Sequence, residues 1–190
     1  MRACTGFEHH PYFGILRAMT RDESFRAAVE MHDRVAAGFA DIASEVPASK
    51  WMDPRPGSEW SPAHVAAHLI AAYDVILREL RGGEGMRIRT GFLLRTAIRW
   101  TVMPRIIRKG IFPKGAKAPR ETRPGDTLYP RDEAIALFRA RSVEFAEAVR
   151  SAPPSKRLTH AYFGLGTVEE GVRICTRHIE HHAAQLRELV

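Results

Sequence analysis

Apolar residues recur every three or four positions over four long stretches, the spacing that gathers them on one side of a helix. In residues 24–46 the stripe runs through Phe25, Ala28, His32, Val35, Phe39 and Ile42, and Pro47 is placed to end it. A second helix is predicted over 61–81. Ser61 suits its cap and Pro62 its first turn, Val65, His68, Leu69, Ala72 and Ile76 form its stripe, and Gly82-Gly83 stops it. A third is predicted over 131–150, with Ile135, Phe138, Phe145 and Val149 inward and Pro153-Pro154 beyond its end. The last is predicted over 167–189. Thr167 and Glu170 have capping-box spacing, and Val168, Val172, Cys175, Ile179, His182 and Leu186 make a long seam.

Four such helices joined by turn-rich segments predict an all-α four-helix bundle spanning residues 1–190 as a single domain. Between the second and third lies an insertion, about 86–129. Its first part, GFLLRTAIRWTVMPRIIRK, predicts a helix with Leu93, Leu94, Ala97, Ile98 and Val102 on its apolar side, broken or kinked at Pro104. Its second part, GIFPKGAKAPRETRPGDTLY, reads as a long irregular loop.

Composition adds two facts. The chain of 190 residues carries a net charge of +7, and it has nine histidines but only two cysteines, Cys4 and Cys175. Cysteines in such different settings predict reduced thiols and a cytoplasmic protein. The N-terminal segment lacks the apolar run of a signal peptide, and no run predicts a membrane span.

Three histidines fall on or beside the predicted seams. His178 and His182 are four apart and share a helix face, and His68 lies on the second helix. Three neutral imidazoles from two helices could hold a divalent ion (zinc, nickel or iron) with positions left for water or substrate. The same spacing also suits hydrogen-bonded core histidines, so spacing leaves both readings open. His64 is expected at the periphery, His181 in solvent, and His32 either beside the site or as an ordinary buried histidine. His9, His10 and His160 are expected in loops or near termini. Cys175 is either a ligand or nucleophile, or an inert buried thiol.

WSPAHVAAHL followed much later by HIEHHAAQL resembles the DinB/YfiT-like family of four-helix metal-binding proteins. HAYFGLG before the last helix and FPKGAKAP in the insertion resemble one DinB-like subfamily, although Ala161 stands where that subfamily has proline. The resemblance implies a DinB-like bundle with a basic helical and loop insertion between helices two and three. It implies a divalent metal on His68, His178 and His182, and the chemistry of a thiol-dependent transferase or related metalloenzyme using a low-molecular-weight thiol. It names no catalytic residue; Tyr73, Trp60 and His64 are candidates for a pocket rim. The alternative is a non-catalytic metal-binding or structural bundle, and a homodimer fits either reading.

The charge is local. Residues 86–120 hold ten Lys and Arg and no Asp or Glu, so the rest of the chain is slightly acidic. Such a segment suits an anionic small molecule, an anionic membrane surface or a solvated helix face. No helix-turn-helix, zinc finger or RNA-binding motif accompanies it, which argues against sequence-specific nucleic-acid binding.

Overall fold

The computed structural model describes residues 19–190 except 56, 114, 126 and 127; Cys4, His9 and His10 lie outside the described residues. Helix α1 is Arg21–Glu45. It begins before its apolar stripe because a capping box lies upstream. Glu23 N–H donates to Thr20 Oγ1 at 3.2 Å, and Thr20 N–H donates to the Glu23 carboxylate at 2.7 Å. Helix α2, Pro62–Leu80, opens at Ser61 as its sequence predicts. Helix α5, Arg131–Ser151, and helix α6, Val168–Arg187, complete the bundle, and Thr167 with Glu170 caps α6.

α1 packs on α6 and α5, and α2 packs on α5, with a narrower contact between α2 and α6. Alanines at 36, 40 and 43 on α1 and at 63 and 66 on α2 are buried and allow close approach. Phe39 and Phe138 fill the centre with rings 4.6 Å apart. Burying each such ring contributes roughly 1.5–3 kcal/mol.

The insertion is partly helical. Residues before Gly91 run without helical structure, and Arg89 N–H donates to Ala161 O at 2.8 Å. Helix α3 is Phe92–Thr101 and helix α4 is Met103–Lys109. The interruption at Val102 sits beside Pro104, which has no N–H to offer the Trp100 carbonyl. Gly110, at φ 64°, then ends α4 in the left-handed conformation that favours glycine. Met103 and Ile106 of α4 form a small second core with Phe163, and α4 rests on α6.

One element was not predicted. Strands β1, Arg157–His160, and β2, Gly164–Thr167, form an antiparallel hairpin in which Arg157 pairs with Thr167 and His160 with Gly164. Each strand is four residues long, too short for an alternation to be seen. Glu79, at the end of α2, anchors β1: its buried carboxylate accepts Thr159 N–H at 2.9 Å and Thr159 O–H at 2.6 Å. The hairpin thereby closes the end of the bundle beside α4.

Candidate metal centre

α2 and α6 bring His68, His178 and His182 together at their narrow contact. His178 Nε2 lies 3.0 Å from His68 Nε2 and 3.0 Å from His182 Nε2. Three nitrogens on one ion at bonds of about 2.0–2.1 Å stand roughly 3.0–3.4 Å apart, so the spacing suits a shared cation.

The outer nitrogens of two rings are fixed. His68 Nδ1–H donates to the backbone carbonyl of Thr122 at 2.5 Å, and His182 Nδ1–H donates to Gln185 Oε1 at 2.8 Å. Neither acceptor can donate at that atom, so both rings carry their proton on Nδ1. Each Nε2 is then left with a lone pair directed toward the other histidines, the arrangement that orients a metal-ligating imidazole. Thr122 belongs to a 3-10 turn, residues 120–122, so the loop of the insertion supplies this support.

Burial keeps the three rings neutral. His68 is held below the ordinary histidine value by desolvation, and His182 is pushed down to about 3 by desolvation and then by the repulsion that protonating both it and His68 would create. His178 is held well below that value by desolvation and then by its two neighbours. Neutral imidazole is the form that binds a cation.

Phe112 and Trp60 form the walls. The Phe112 ring lies 5.8 Å from His178 and 5.1 Å from His181. Trp60 lies 5.0 Å from the His68 ring and is stacked at 6.5 Å on His182. The placement of Trp60 agrees with a pocket-rim role; that of Tyr73 does not. Tyr73 is fully buried in the bundle core, where its O–H donates to His32 Nε2 at 2.8 Å, and His32 Nδ1–H faces Asp33 at 3.3 Å. His32 is therefore a core histidine without contact to the triad. His64 closes the cap of α2 on Ser61, and His181 is half-buried against Phe112 rather than free in solvent. Cys175 is buried outside the converging group, and burial pushes its thiol up to about 12, which rules against a thiolate nucleophile.

Two residues near the centre were not singled out by the sequence. His160 ends β1, stacked on Phe163 at 4.4 Å. Its Nδ1 accepts Tyr162 N–H at 3.2 Å, which leaves the proton on Nε2. Burial pushes it down to about 4, and it stands near enough to depress His178. Arg55 precedes α2 and is only 9 % exposed. One of its terminal nitrogens donates to Gln185 Oε1 at 3.2 Å, the atom that also receives His182 Nδ1–H. Its Nε is buried without an acceptor among the described residues, and no carboxylate there pairs with it. Glu188 acts on it through its field alone, more weakly than desolvation. A stripe of alternating apolar residues would have revealed neither, since both sit outside the long helices.

Architecture and centre together define the class. The chain belongs to the DinB superfamily, whose family profile matches residues 31–186. Among solved structures it is similar to YfiT from Bacillus subtilis, described as a probable metal-dependent hydrolase with an unusual four-helix bundle topology. That likeness has 16 % identity and a TM-score of 0.56, and covers 96 % of this chain and 91 % of YfiT. At this identity it shows the fold: a DinB-like four-helix bundle. No curated protein gives a significant match. No helix among the described residues is long and apolar enough to cross a membrane.

Proposed function

We propose that His68, His178 and His182 hold one divalent cation and that the protein is a metal-dependent enzyme acting on an anionic small molecule. The convergence of three Nε2 atoms, two of them on rings fixed through Nδ1–H, carries this reading. A cation bound there would polarise a substrate oxygen or lower the pKa of bound water or thiol, the chemistry shared by metal-dependent hydrolases and thiol-dependent transferases.

The chain's own residues favour an anionic substrate. The three ligating groups are neutral and no carboxylate among the described residues joins them, so this donor set does not offset a dication. Arg55 adds a buried cation that, among the described residues, hydrogen-bonds only to the neutral oxygens of Ser58 and Gln185. A buried charge without a partner is costly, and an incoming carboxylate would relieve it. His160 Nε2–H offers a further donor for a substrate oxygen, while Trp60 and Phe112 exclude water from two sides of the centre.

Elemental analysis of untagged protein purified without added metal tests the reading. We expect about one divalent ion per chain, and little or none in His178→Ala. Arg55→Met is expected to retain the ion. Metal-free wild-type protein that also fails to bind added zinc, nickel or iron would overturn the assignment.

A further inference from the structure

Among the described residues, no element of the bundle covers the outward face of α3. Phe92 is 71 % exposed, Leu93 82 %, Leu94 59 % and Trp100 77 %. The helix is turned opposite to the usual sense. Its arginines face the protein, where Arg99 pairs with Glu170 at 2.8 Å and Arg95 donates to Thr90 O at 3.2 Å. Even the polar side chains of the helix are satisfied within it, for Thr96 donates to Phe92 O at 2.9 Å and Thr101 to Ala97 O at 2.8 Å. This surface asks for little hydration and presents leucines, a phenylalanine and a tryptophan. Around it the chain is mainly basic, with Glu121 paired to Arg89 on the segment before the helix. Arg105, Arg108 and Lys109 are exposed, and no carboxylate among the described residues pairs with them.

From these observations we infer that α3 and its flanks dock on an anionic lipid bilayer, α3 lying in the plane of the headgroups. Trp100 and Phe92 suit the interface, Leu93 and Leu94 the acyl boundary, and the flanking cations the negative surface. Charge complementarity selects this occupant over a second copy of the chain. A symmetric pairing through α3 would bring the exposed Arg105, Arg108 and Lys109 of one copy toward those of the other, with no carboxylate among the described residues of α3 or α4 to offset them. The inference is independent of the metal reading, because none of these side chains lies in the centre.

Vesicle sedimentation with the full chain tests it, using an equal mixture of phosphatidylcholine and phosphatidylglycerol against phosphatidylcholine alone. Partitioning is expected to be at least about tenfold stronger on the anionic vesicles and to weaken with salt. Leu93→Glu with Trp100→Glu should reduce it at least about tenfold. Arg105→Gln, Arg108→Gln and Lys109→Gln together should weaken binding to the anionic vesicles without creating binding to the neutral ones. Circular dichroism melts control for folding. Equal or absent binding to both vesicles would overturn the proposal. So would a concentration-dependent dimer abolished by the Leu93 and Trp100 substitutions, which would assign the face to a second copy.

Discussion

At the contact of α2 and α6, three imidazoles and a guanidinium lie inside the protein; along α3, three large apolar side chains and a tryptophan lie outside it. The two regions depart from ordinary burial in opposite senses, and the energetics differ accordingly. Two of the buried imidazoles are held by specific partners, Thr122 O on His68 and Gln185 Oε1 on His182, because an unpaired polar group in a low dielectric is costly. The exposed apolar groups have few contacts among the described residues, Arg95 over the Phe92 ring being one, and leaving them in water costs solvation without distorting the fold. The first region is therefore coupled to stability, and the second is free of it.

Leu186 on α6 and Leu93 on α3 give the sharpest contrast, being fully buried and largely exposed respectively. Leu186→Ala should lower stability by roughly 2–5 kcal/mol in chemical denaturation. A loss similar to that of a surface residue would break the comparison.

Of these two regions, acidification should act on the first. His182 is protonated in the unfolded chain near the ordinary histidine value but in the fold only at about 3. Between those values the unfolded state binds more protons, so stability is intact above about pH 6.5 and falls as pH drops below it. At pH 5 this histidine alone costs the metal-free protein about 2 kcal/mol, read from thermal melts between pH 7.5 and 5. A flat profile would show that the imidazoles are hydrated rather than buried.

Gln185→Leu removes the acceptor of His182 Nδ1–H and of Arg55. It should weaken zinc binding roughly tenfold by competition with a chromophoric chelator, while the helical circular dichroism is unchanged. The smallest effect is expected at Leu93. Leu93→Ser should change stability by less than about 0.5 kcal/mol, because the side chain touches little of the protein. A larger loss would mean that α3 is packed after all.

Much of the bundle was legible along the chain. Pro62 after Ser61, and Thr167 three residues before Glu170, mark the starts of α2 and α6 through local hydrogen bonding that involves only neighbours. The seams of α5 and α6 follow from helical periodicity for the same reason. The spacing of His178 and His182 places them on one face. Seam positions made a meeting of His68 with them one of two open readings, and the resemblance to a family favoured it, since nothing local links residues 110 apart.

The tertiary structure decided the rest. Periodicity gives a helix an apolar side but not the direction in which that side points. Leu93 and Leu94 were expected on one apolar side with Ile98 and Val102; instead the latter two pack inward and the leucines face out. What turns α3 is contact with distant groups, Glu170 on α6 for Arg99 and Gly164 beside Arg95. Tyr73 was expected at a rim and lies in the core because His32 on α1 meets it there. Arg55 and His160 join the centre through folding of a loop and a short hairpin that carry no long periodic signal. The sequence by itself determined the helices and the chemistry available on them, because capping and periodicity act over a few residues. Which imidazoles meet, which carbonyl orients them and which apolar face is left uncovered were decided only by packing between segments far apart in the chain.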